Sequence, residues 1–470
     1  MVLSDFHKAI LILLSCFSIP SAFGACHVVT PTGSGSRSGA DWNNAYAGVP
    51  ATLTRGDLYY LADGSYSSYT FNTAASGATV TEIRKAQSSD HCTDTGWNTS
   101  TMGNAQAIFP AFTINASYFI LNGNGSQTAP GCGSAPGSTV TASPSNPKDC
   151  GIKIAATGNV GLGISGNAGQ YTVRYLEEVG TGVNNGALAE FYGGSGGSVS
   201  TFSHIYAHNA GCVFFQYGGD QRQVSFSYFW GTETDGAPTG SCHGQYSFYA
   251  GNDSNSSEHD NVYRDITGTA VWTFAWSPGT HTNWTYYNNV IFQSSPAVAW
   301  KPYLSDGILA CINSGVNCNN FGLYQNTVVN ISGNSGINNE NTGTYIVQNN
   351  LWYGGPGGTP GFNKGNGGTY TQDHNSFLQE GSSCPSGTAN VCSGSSSNPF
   401  VGWPGIDFNI TSENANWTNR LSLASPYTTD PSGVTRITDR GAYQYSLAQG
   451  PQGPQGPQPA TALSATVNIF

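Results

Sequence analysis

Along much of the chain, apolar residues come in runs of three to five, alternate with polar ones, and return in one outline. The outline is a polar residue, then Asn, then a small or apolar residue, then a large apolar or aromatic one. It stands at Asn261 in DNVYR, Asn289 in NNVIF, Asn326 in QNTVV, Asn350 in NNLWY and Asn375 in HNSFL. Successive copies are 28, 37, 24 and 25 residues apart. Looser copies precede them at 171–180 (YTVRYLEEVG), 202–211 (FSHIYAHNAG) and 224–231 (VSFSYFWG). A period in the twenties with short alternating strands is the signature of a solenoid. Strands this short do not build a sandwich of ordinary strands. Stacked coils do better, because each pairs with the coil above and below and the inward apolar residues join into one column.

The pattern therefore predicts an all-β parallel β-helix with loop insertions. A β-propeller and a β-sandwich are the alternatives. An Asn at a fixed bend can bond to the Asn of the next coil and satisfy bend amides that no strand pairs. The longer steps predict insertions bulging from one face, one of them over residues 232–257.

Composition supports this reading. The chain has 470 residues, 62 of them Gly, and only 9% are charged, against roughly 25% in ordinary domains. It is not disordered in composition, since it holds 25 Tyr, 22 Phe and 10 Trp. A net charge of −11 with 15 Lys and Arg argues against nucleic acid as a partner and gives no long-range pull on a polyanion.

The first residues, MVLSDFHKAILILLSCFSIPSAFGAC, carry Lys8 before an apolar run that is too short to span a membrane. They read as a secretory signal over 1–24, with a lipoprotein signal as the weaker alternative. Residues 25–445 form the solenoid domain. Residues 446–470 hold three Gly-Pro-Gln triplets, too few for a triple helix. They read as a tether followed by a strand-like tail through which copies could associate. Export implies disulfides. Losing Cys16 leaves ten cysteines; closeness in sequence suggests Cys132/Cys150, Cys212/Cys242, Cys311/Cys318 and Cys384/Cys392, which leaves Cys26 with Cys92.

Two stretches carry a family resemblance. DWNNAYAGVPATLTRGDLYYLADGSY (41–66) resembles the strand pair that precedes the first coils in right-handed parallel β-helix proteins of the pectate-lyase-like superfamily. DFNITSENANWTNRLSLASPYTTD, followed by ITDRGAYQY (407–445), resembles their usual close. The resemblance implies the fold, a bacterial source and a carbohydrate context. It leaves activity open, because the superfamily holds lyases, hydrolases, epimerases and non-enzymes. Of the family's chemistries, the polygalacturonase-type hydrolases carry NTD, DD and GHG. None of these occurs here, and SCHGQY (241–246) is the nearest stretch.

Titratable residues concentrate between 204 and 265. His243 as base and Tyr246 as acid, with Glu258 and Arg264 nearby, would suit proton abstraction or hydrolysis. Asp235, Asp253 and Asp260 could offer oxygens to calcium. His208, His259, Trp276 and Trp284 are candidate substrate contacts, the indoles as platforms for sugar faces. Each has a plainer reading: core for the indoles, a loop histidine at His243, a solvated loop over 252–260, and a turn cap at Asp265, which aligns with Asn330. Two functions compete on this basis. One is a secreted polysaccharide lyase or glycoside hydrolase. The other is a non-catalytic glycan-binding, adhesin or fibre-forming protein.

Overall fold

The computed structural model describes residues 23–126, 150–156, 160–165, 168–180, 187–192, 199–208, 212–217, 221–231, 246–266, 268–275, 277–294, 303–355, 360–362, 367–380, 385–394, 396–404 and 407–445. Every pairing between its strands is parallel, and the strands fall into two sheet systems of 25 and 10 members among the described residues. Helix is confined there to Trp42–Asn44 and Thr99–Met102. No helix among the described residues is long and apolar enough to cross a membrane. The chain is a parallel β-helix, as the repeat predicts.

The Asn column is a continuous ladder. The Oδ1 of each Asn accepts the main-chain N–H one coil earlier, from Ser227 N to Asn261 (2.9 Å), then Asn261 to Asn289 (3.1 Å) and Asn289 to Asn326 (3.1 Å). It continues from Asn326 to Asn350 (2.8 Å), Asn350 to Asn375 (3.0 Å) and Asn375 to Asn390 (2.9 Å). Each Nδ2 donates to a carbonyl, as Asn326 does to Tyr286 O at 2.9 Å. The residue before each ladder Asn bends the chain through a left-handed conformation, with φ near +56° at Asp260, Asn288, Gln325 and Asn349. Asn and Asp tolerate that region better than most residues. The looser copies keep the bend at Tyr175, His204 and Phe226 but lack the Asn.

Three-residue strands such as Val290–Phe292 and Leu351–Tyr353 are buried on both faces. Their middle residues, Ile291 and Trp352, join the solenoid interior. The flanking Val290, Phe292, Leu351 and Tyr353 join a second core outside it, with Phe400, Phe408, Ile410, Trp417 and Tyr443. The C-terminal segment is thus a strap across one outer face.

Two expected disulfides, Cys26–Cys92 and Cys311–Cys318, are present. Cys150 and Cys392 are disulfide-bonded as well. Cys132 and Cys384, their expected partners, and Cys242, expected for Cys212, lie outside the described residues. So do residues 446–470 and almost all of the expected signal.

One expectation is corrected. Residues 246–257 are not part of an insertion, because Ser247–Ala250, Asp253–Ser254 and Ser257–His259 are regular coil strands. The polar run NDSNSSEHD is a pair of short strands whose outward positions are polar.

Candidate functional site

Parity along those strands decides where the nominated residues point. Ser257 and His259 face outward, so Glu258 faces inward and is fully buried. Its carboxylate accepts from Arg222 Nη2 (3.0 Å), Tyr249 OH (2.6 Å), Tyr263 OH (2.7 Å) and Trp272 Nε1 (2.9 Å). Burial pushes the carboxyl above its ordinary pKa against the pull of Arg222. Tyr246 and Trp284 are also fully buried. Asp253 lies inside, with Oδ1 bonded to His281 Nδ1 (2.7 Å) and Trp284 Nε1 (2.7 Å). Glu258, Tyr246, Asp253 and Trp284 are therefore interior groups.

Asp260 sits at a bend, bonded to His259 Nδ1 (2.6 Å) and Asn288 Nδ2 (2.9 Å). It does not meet Asp253, and no group of three metal-ligating side chains occurs among the described residues. His259 faces outward and stacks on Tyr287 at 4.6 Å, around the bend from Arg264. His243, Asp235 and Trp276 lie outside the described residues.

His208 and Arg264 share one outward column, two coils apart. The register pairs His208 with Trp230, and Trp230 with Arg264. The three stand on successive coils, roughly 5 Å per step. The same column continues through Phe292, Val329 and Tyr353, which the strap covers; Trp230 is partly buried and packs against the same core, which also holds Tyr206 and Tyr228. A neighbouring column runs through Lys153, Glu177, Tyr206 and Tyr228.

Glu177 accepts from Gln106 Nε2 (2.8 Å), Lys153 Nζ (3.0 Å) and His208 Nε2 (3.2 Å). Burial alone would raise its pKa, but those donors outweigh burial and bring it down to about 2. An ionised carboxylate only accepts, so His208 Nε2 carries the proton and, in the neutral ring, the basic lone pair is on Nδ1. The imidazole stacks on Tyr206 at 4.5 Å.

Arg264 lies over the Trp230 ring at 4.2 Å. Its Nε is held by Asp265 Oδ2 (3.2 Å) and Ser294 Oγ (3.3 Å). Burial would lower the guanidinium pKa, but Tyr228 and Asp265 raise it. Asp265 adopts the left-handed conformation of Asn330, as their alignment suggests, and caps Ser294 N at 2.6 Å. Adjacent residues of a straight strand point to opposite faces, but the bend at Asp265 turns its carboxylate back toward Arg264.

Sequence reading missed Glu177, Lys153, Tyr206, Tyr228 and Trp230 as members of this face. Aligning YLEEV, HIYAH and YFW on the bend residue, instead of on an Asn those copies lack, would have found the shared columns.

The fold has known relatives in structure. Pectate lyase Pel9A is similar with a TM-score of 0.50 and 14% identity, over 91% of this chain and 98% of that one. The fold is the right-handed parallel β-helix of the pectate-lyase-like type. A variant of the PL6 family alginate lyase AlyGC is similar with a TM-score of 0.41 and 11% identity, over 80% of this chain and 55% of that one. No protein-family model and no curated protein sequence matches the chain. At these identities the likeness is one of architecture, and chemistry has to be argued from the residues.

Glu178, next to Glu177, faces inward and is buried, and neither oxygen has a hydrogen-bond partner among the described residues. Burial raises its pKa from 4.5 to about 8, and the same holds for Glu380. The folded state thus keeps a proton that the unfolded chain releases near pH 4.5. Stability should fall as pH rises from about 4.5 to about 8 and then level off. Each carboxyl contributes about 1.4 kcal/mol per pH unit to that slope. Urea unfolding of Glu178→Gln across this range should show one proton less of pH dependence and higher stability at pH 8. An unchanged slope would contradict the assignment.

Proposed function

We propose that this chain is a secreted carbohydrate-active protein that takes an acidic polysaccharide across His208, Trp230 and Arg264 and cleaves it by a lyase reaction. One observation carries the reading. A histidine oriented by an ionised carboxylate stands two coils from an arginine on one outward column, with an indole between them. In this elimination His208 Nδ1 takes the proton beside a uronate carboxylate that Arg264 holds, the freed electron pair forms a carbon–carbon double bond, and the glycosidic C–O bond breaks with its oxygen taking a proton from solvent. Hydrolysis is less well supported, because it needs a carboxyl poised as an acid. Glu177 is held ionised, and Glu258 is interior. Export is supported by the apolar N-terminal run and the disulfides.

Glycan binding without turnover is the second reading, favoured by the burial of Glu258 and Tyr246. Turnover of uronate-containing polysaccharides by the mature protein separates the two. Unsaturated products are expected from the native chain, falling by 100-fold or more in His208→Ala, the scale of a lost general base. Binding with no product from any substrate would leave the second reading standing.

A further inference from the structure

Away from the glycan row, a different outer strip repeats on the coil arc that precedes the ladder. Here the inward column is Asp253, His281, Cys318 and Gly343. The two outward positions flanking it are Thr280 and Thr282, Asn317 and Asn319, then Thr342 and Thr344, with Asn252 and Ser254 before them. The register shifts by one residue at the last step, where Asn319 and Asn320 together face Thr344, so the pattern is regular over the first three rows and along the Thr342 side of the fourth. All are uncharged, short and polar. Coils repeat at roughly 4.8 Å, and the two outward positions of a strand are about 7 Å apart. The strip is therefore a two-dimensional grid of hydroxyls, amides and threonine methyls.

The grid is rigid. Thr342 Oγ1 donates to Asn317 Oδ1 at 2.6 Å, and Thr280 N donates to Asn252 Oδ1 at 2.8 Å. A second amide ladder runs along its edge, with Asn283 Nδ2 on Asn255 Oδ1 (2.9 Å) and Asn320 Nδ2 on Asn283 Oδ1 (2.8 Å). Beneath it, Asp253 bonds to His281 and Cys311 is bridged to Cys318.

We propose that this strip binds the surface of ice. The occupant follows from charge and spacing. An uncharged grid suits an uncharged lattice, since no ion has to be stripped of water at contact. Its two repeats lie near those of oxygen atoms in ice. Side chains already fixed by cross-coil bonds lose little entropy on ordering water against them. A crystalline polysaccharide is the competing occupant, but no aromatic ring stands at these positions to stack on sugar faces. The proposal is independent of the glycan reading, which uses another face.

The test is partition of the mature protein into slowly grown ice, with serum albumin as the excluded standard. Thr280→Tyr places bulk on the grid, and Thr342→Tyr does so at a second point. Ile437→Tyr, at an exposed position on the strap, is the control. Thermal unfolding of each variant is followed by circular dichroism. The native chain and Ile437→Tyr should enter ice, and the two grid variants should enter at least 5-fold less while unfolding as the native chain does. Exclusion of the native chain to the level of albumin would overturn the proposal. So would equal entry of both grid variants, or retention on microcrystalline cellulose with exclusion from ice.

Discussion

Replacing Arg440 with alanine is expected to release the C-terminal strap and cost roughly 3–5 kcal/mol of stability. The side chain is buried at the junction between strap and solenoid. Nη1 donates to Asn375 O (2.9 Å) and Ser376 Oγ (3.1 Å), and Nη2 to Ala389 O (3.1 Å) and Asn419 O (3.2 Å). Burial lowers its pKa only to about 10, so it stays charged at neutral pH. Alanine removes every donor and leaves these acceptors in a dry place. Arg436 does similar work nearby, with Nη2 on Asn288 Oδ1 (2.8 Å) and Nη1 on Gly441 O (2.8 Å). Once the strap lifts, Val290, Phe292, Leu351 and Tyr353 lose their outer cover. Urea unfolding should show the loss, and limited proteolysis should cut within residues 396–445 before the solenoid. A variant as stable and as resistant as the native chain would show that the strap is held otherwise.

Glu258→Ala should be at least as damaging, by about 3–5 kcal/mol, because it strands Arg222 as an unpaired charge inside the solenoid. Two phenols and an indole lose their acceptor at the same time. Replacing both partners, as Arg222→Met with Glu258→Leu, should cost less than Glu258→Ala alone, since no lone charge remains. Denaturant unfolding of the three proteins gives the comparison. Were Glu258 a catalytic carboxyl at a cleft, Glu258→Ala would leave stability nearly intact and abolish turnover.

The repeat was legible because its physics is local. A bend residue in the left-handed region followed by an amide that both donates and accepts is written in each coil as a pair such as Asp260–Asn261 or Asn349–Asn350. The interior charges were not legible, because a polar residue in a Ser/Asn-rich stretch is ordinarily solvated. Parity from the ladder Asn was the available signal. Three residues before Asn261 comes Glu258, and three before Asn289 comes the buried Tyr286, so both point inward. Trp272 and Trp284 followed the plainer reading, since they use their N–H groups on Glu258 and Asp253 within the core. The outward His208–Trp230–Arg264 column was half visible. Its ends were nominated separately, but their adjacency depends on aligning coils that lack the Asn. The strap's role was hidden for a different reason: covering an outer face is a long-range contact with no periodic trace.

The most direct test of the glycan face is calorimetric titration of an acidic oligosaccharide into the native chain and Arg264→Ala, with unfolding midpoints measured alongside. Loss of a charge-assisted contact is worth roughly 1.5–3 kcal/mol, so affinity should fall about 10- to 100-fold while both proteins remain folded. An unchanged affinity in folded Arg264→Ala would contradict the placement of the glycan on this column.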